Sequence, residues 1–148
     1  MTILLKAAKI IDPKSSFHGK TFDILIEKGK IQKIAKNIAI NKAQIVERNN
    51  LHISQGWFDS SVSFGEPGYE ERETLSHGLE VAQHSGYTHI AYNTNTHPSP
   101  TSKADISFLL RKATDSVTSL HPKAGLSSEN DQSKLAELHD LHLAGAVA

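Results

Sequence analysis

Asp59, Ser61 and Ser63 recur at every second position, and Gly65 continues the series. In a strand that spacing puts all four on one face. The apolar, β-favouring Trp57, Phe58, Val62 and Phe64 around them predict a buried strand that starts at Gly56 and stops at the turn Glu66-Pro67-Gly68. The C-terminal end of such a strand is where α/β enzymes hold their reacting groups. Two chemistries are open to Ser61 and Ser63. As nucleophiles they would need a neighbouring base and an oxyanion hole, and no Gly-x-Ser-x-Gly elbow surrounds either of them. As zinc ligands they are poor, because a hydroxyl must lose a proton of high pKa where neutral imidazole need not.

Nine histidines invite a metal reading. His139 and His142, and likewise His77 and His84, flank the apolar stripes of predicted helices and read as solvated faces. His121 precedes Pro122 at the end of a predicted strand and faces the mouth of the site. Alone it cannot hold a catalytic zinc. Asn93 follows another predicted strand. Its amide supplies donor and acceptor together, which suits a cyclic ureide or a carboxylate; the other reading is a loop residue bonding its own backbone.

These side chains need elements to hold them. Residues 3 to about 53 read as short strands: Ile3–Ile11 up to Asp12-Pro13, then Phe22–Glu27, a tight turn at Lys28-Gly29, Ile31–Ile34, Gln44–Val46 and Leu51–Ile53. From Gly56 the pattern alternates strand with helix. Helices are expected over Glu70–Gln83, from a capping box at Ser102 to Asp105 through Ala113, and over Lys134–Ala144 with a cap near Asp131 or Ser133. Strands are expected at Thr88–Tyr92, within Asp115–Pro122 and from Ala146 onward. The class is α/β, divided into a β module over 1–54 and barrel units over 55–148. The residues after 55 are too few for the roughly 250 of a complete eight-stranded barrel, so the chain reads as the N-terminal portion of a longer protein.

At 148 residues, with sixteen basic and sixteen acidic side chains, the chain carries no net charge. That gives no electrostatic reason to expect nucleic acid or an anionic membrane as partner. There is no cysteine, hence no disulfide framework or thiolate metal site. With no signal peptide or apolar span in view, a cytoplasmic location is expected.

The stretch Gly56-Trp57-Phe58-Asp59-Ser60-Ser61-Val62-Ser63-Phe64-Gly65-Glu66-Pro67-Gly68 resembles the dihydroorotase and allantoinase branch of the amidohydrolase superfamily. Asp12-Pro13, the run Asp23-Ile24-Leu25-Ile26-Glu27 and Tyr92-Asn93-Thr94-Asn95 extend the resemblance. It implies a β module forming part of a sandwich beside an incomplete TIM-type (β/α)8 barrel. It places Ser61 and Ser63 where the family has two zinc-binding histidines, and Gly65 where it has an arginine that grips the substrate carboxylate. Asn93 matches a substrate-binding asparagine, Tyr92 stands in place of the usual proline, and Asp59 and His121 are supporting residues around the site. The resemblance implies a zinc-dependent hydrolase of cyclic amides, in the manner of dihydroorotase in pyrimidine biosynthesis.

The departures at Ser61, Ser63 and Gly65 lead us to expect a catalytically inactive homologue with no metal cofactor in this chain. The alternatives are an active hydrolase completed by residues beyond 148, a small-molecule binding module, or a non-catalytic partner of aspartate carbamoyltransferase. The ligand implied is a small cyclic amide or a carbamoyl-aspartate-like molecule, and a homo-oligomer is the other implied partner.

Overall fold

The computed structural model describes residues 1–128, 131 and 133–148. It divides into two compact units, Met1–Gln55 and Gly56–Ala148.

The first unit is a five-stranded mixed sheet in the order β3-β2-β1-β4, with β5 also paired to β1. Its strands are β1 (Thr2–Ile11), β2 (Thr21–Glu27), β3 (Lys30–Ala35), β4 (Gln44–Val46) and β5 (His52–Ser54). The turn between β2 and β3 puts Lys28 and Gly29 at φ 49° and 73°. That is the left-handed pair a two-residue hairpin requires and glycine supplies without strain. Ala8, Ile10 and Ile24 form the core, with Phe17 and Phe22 packed against it.

β1 is bulged. Its register with β2 shifts between Leu5 and Ala8, and Ala7 takes φ 49°. A bulge removes backbone groups from the ladder, and here the buried Asp23 takes up the one at Ala7 together with an N–H from beyond β3. Its carboxylate accepts from Ala7 N at 2.9 Å and Ile38 N at 3.1 Å, and pairs with Lys6. Burial pushes the Asp23 pKa up, but the hydrogen bonds from Lys6, Ala7 and Ile38 outweigh it and hold the group below the usual carboxylate range. A depressed folded-state pKa stabilises fully above the unfolded value of about 4, and the stabilisation is lost as pH falls through the lower folded value. Asp23→Ala should therefore destabilise this unit by about 2–4 kcal/mol near neutral pH, and by less in acid. Urea melts of both proteins at neutral pH and in acid check this; an equal difference at the two pH values would refute it.

The second unit is a three-stranded parallel sheet, β6-β7-β8, with helices between the strands. Its elements are β6 (Trp57–Val62), α1 (Leu75–His84), β7 (Tyr87–Tyr92), α2 (Lys103–Lys112), β8 (Ser119–Pro122) and α3 (Leu138–Ala144). Ile90, Tyr92 and Leu120 of the sheet bury against Leu75, Leu79 and Leu109 of α1 and α2. The capping box at Ser102 and Asp105 forms as expected.

Four expectations need correction. The strand β6 is not buried: Trp57 and Phe58 are each 59% exposed. α1 starts at Leu75, capped by Thr74, rather than at Glu70, and has no acid in its first turn. α3 starts at Leu138 rather than Lys134. Leu135 is instead in an isolated bridge with Ser127, and Asp131 and Ser133 form a local turn instead of a helix cap. The fourth strand does not form over 146–148, although Val147 N donates to Pro122 O and Ala124 N donates to Ala148 O.

Candidate functional site

The backbone at the C-terminal end of β6 breaks strict alternation. Register with β7 shifts between Asp59 and Val62, so that Asp59 pairs with Ile90 while Val62 pairs with Tyr92. Asp59 thereby joins the helix-facing side and lines a hollow with Val62, Phe64 and Gly78. The expected common face of Asp59, Ser61, Ser63 and Gly65 is corrected accordingly. What Asp59 does is accept the Ser61 N–H at 2.9 Å, which fixes the bulge.

Ser61 and Ser63 do share a partner. Asn93, the residue after β7, donates its two amide hydrogens to Ser61 Oγ at 3.1 Å and Ser63 Oγ at 2.9 Å. Its carbonyl oxygen accepts from Lys123 Nζ at 2.9 Å, and the same ammonium donates to Ser60 O at 2.8 Å. Four side chains from the ends of three adjacent strands thus form one network. Lys123 was not legible as a site residue. Its signal is positional: it directly follows β8, and its N–H bonds Tyr92 O beside Asn93.

His121 lies elsewhere. Its Nε2 is 3.0 Å from His89 Nδ1, the two rings stack, and Phe58 meets it edge-on. Its hydrogen-bond partner is thus the imidazole of β7, not Ser61, Ser63 or Asn93. His89 is a second residue the sequence did not single out.

The loop after β6 is tied down on three sides. Glu66 accepts from Leu75 N at the start of α1 and pairs with Lys112 of α2 at 2.8 Å. Burial pushes its pKa up, but Lys112 and the Leu75 N–H together hold it below the usual range. Tyr92 is fully buried and donates to Glu66 O at 2.6 Å. Burial, followed by the nearby Glu66 charge, pushes its phenol up to about 12. Tyr92 therefore serves the core and this loop. Gly65 sits where its own N–H bonds Glu73 O and its carbonyl accepts from Tyr69 N.

A metal finds little here. Two hydroxyls, an amide and an ammonium offer neither imidazole nor carboxylate, and the ammonium repels a cation. Among the described residues no group of three or more His, Cys, Asp or Glu side chains is placed to hold a metal ion. Among the same residues no helix is long and apolar enough to cross a membrane.

No family model matches the chain. Curated relatives do. A dihydroorotase of Syntrophus aciditrophicus is 34% identical over 151 residues, which take in all of this chain and 35% of that protein. The chain is a relative of the dihydroorotases. A Lactococcus lactis dihydroorotase is 31% identical over 147 residues, 99% of this chain and 34% of its own length. The chain thus spans about a third of the length of these dihydroorotases. Among solved structures, L-hydantoinase (dihydropyrimidinase) from Arthrobacter aurescens superposes with a TM-score of 0.78 at 18% identity, over 98% of this chain and 31% of that one. That likeness is one of fold. The β module followed by parallel βα units has the fold of the first βα units of a TIM-type barrel.

Proposed function

We propose that the chain is a dihydroorotase-type homologue in which zinc-dependent hydrolysis is lost and a polar ligand-binding cluster is kept. One observation carries this reading. Where the family resemblance calls for two zinc imidazoles, Ser61 and Ser63 are bridged by the Asn93 amide, and the Lys123 ammonium closes the network. Those donors do not fit a zinc ion, so no hydrolytic step is derived through one. The chain's own groups bind and orient: three elements of one sheet present hydroxyls and a cation to whatever enters from the strand ends. A small cyclic amide or a carbamoyl-aspartate-like molecule matches that polarity. Association with a second copy or with aspartate carbamoyltransferase is the role proposed for a homologue without chemistry of its own.

A second reading is an active hydrolase of cyclic amide C–N bonds whose remaining ligands lie beyond Ala148. The chain's coverage of only 35% of its Syntrophus relative favours it. Elemental analysis of the whole protein, purified without chelator, separates the two. The expected result is zinc well below one ion per chain, since a stable site needs three or four protein ligands. A stoichiometric, tightly held zinc would overturn the first reading.

A further inference from the structure

As a donor Asn93 is fully committed within the protein. Both amide hydrogens go to the serines, so an acceptor on a ligand could take them only by dismantling the network, while its carbonyl already accepts the lysine. The groups left over are those it organises. A serine hydroxyl has one hydrogen and two lone pairs. On Ser61 and Ser63 a lone pair is occupied by Asn93, and among the described residues neither hydroxyl donates. The Lys123 ammonium has three hydrogens, of which Ser60 O and Asn93 Oδ1 take two. Among the described residues no carboxylate pairs with it. Three donors and one uncompensated positive charge therefore meet at the ends of β6 and β8. Lys123 is half-buried, which raises the effective strength of its field over that of a fully solvated lysine.

We propose that Ser61, Ser63 and Lys123 form a metal-free binding site for a small oxyanion, of the carboxylate or phosphate class, with Asn93 as the strut that positions them. The inference rests on the functional reading above and deepens it, because the lysine provides the positive charge that a metal would otherwise bring to this place. An ionised oxyanion accepts from all three donors, and its bonds to them are charge-assisted. A neutral ligand would leave the lysine charge unanswered.

The test uses the full chain, stripped with chelator and dialysed. Acetate and inorganic phosphate are titrated separately at constant ionic strength, with chloride as control. Nitrogen-edited NMR follows the Asn93 side-chain amide and the Ser61 and Ser63 backbone amides. The expected result is saturable shifts with acetate or phosphate and none with chloride; the tighter of the two names the ligand class. Lys123→Met should weaken binding roughly tenfold or more, the worth of one charge-assisted hydrogen bond. Ser61→Ala with Ser63→Ala should weaken it with the lysine intact, which keeps the test decisive if the lysine variant misfolds. Shifts that never saturate, or that are equal in both variants, would overturn the proposal. Failure here in zinc-free protein leaves the loss of hydrolysis standing. Tight native zinc together with zinc-dependent anion binding would bring down both readings.

Discussion

Replacing Gly65 with arginine is expected to cost the second unit more than about 3 kcal/mol and to add no ligand clamp. By resemblance this is the restoring change, since the family carries arginine there. Physically it has nowhere to go. A Cβ on Gly65 would lie 1.9 Å from the Tyr69 carbonyl oxygen and 3.1 Å from the Glu73 carbonyl oxygen. Both obstacles are backbone, and both residues are bonded to Gly65 itself, through Glu73 O at 2.9 Å and Tyr69 N at 2.8 Å. No flexible side chain can yield. The loop would have to open, pulling at the Glu66 contacts with Leu75 and Lys112. Gly65→Ala separates the causes: if the first carbon is the problem, alanine should already carry much of the loss. Urea denaturation of the three proteins measures it. An arginine variant as stable as the parent would show that the loop is free to reopen.

Restoring both imidazoles, Ser61→His with Ser63→His, is expected to give no ring opening of dihydroorotate even with added zinc. A catalytic zinc takes three protein ligands and keeps an open position for water, and two histidines on one strand fall short. They would also destroy the bridge from Asn93, leaving its amide without the two acceptors it now has. The Lys123 ammonium stays nearby, and a divalent cation at comparable range meets a repulsion of several kcal/mol in a partly buried site. Adding Lys123→Met to the double variant should therefore tighten zinc by about tenfold or more, still without turnover. A competition titration against a chromophoric chelator reads the affinity, and ultraviolet absorbance reads the ring opening. Turnover above the zinc-only blank would mean that the two histidines suffice.

Much of the frame was legible because local chemistry dictates it. Lys28-Gly29 had to turn, since glycine accepts the left-handed conformation between two alternating strands. Ser102 and Asp105 had to cap a helix, because each satisfies the other's orphaned donor. The alternation of strand and helix after Gly56 reads directly from hydrophobic period, and the motif around Asp59 carries the resemblance to the dihydroorotases. Start points were less legible. Glu70–Glu73 looked helical by composition, but Gly65 N and Glu73 O tie that segment into a loop and leave Thr74 to cap. Likewise Leu135 fits a helical stripe, yet its bridge to Ser127 takes the backbone away from the helix.

The sequence by itself determined which groups could not be present: no imidazole at 61 or 63, no thiol anywhere and no side chain at 65. Tertiary structure alone decided what the remaining groups do. Strict alternation put Asp59 with the serines, and one bulge, visible only in the pairing of β6 with β7, turned it to the other face. Lys123 looked like one surface lysine among many. Its charge became part of the site because parallel register sets the ends of β7 and β8 side by side, with Lys123 N on Tyr92 O. Neighbours 30 residues apart in the chain, such as Asn93 and Lys123, leave no periodic trace in sequence; only the sheet brings them to hydrogen-bonding distance.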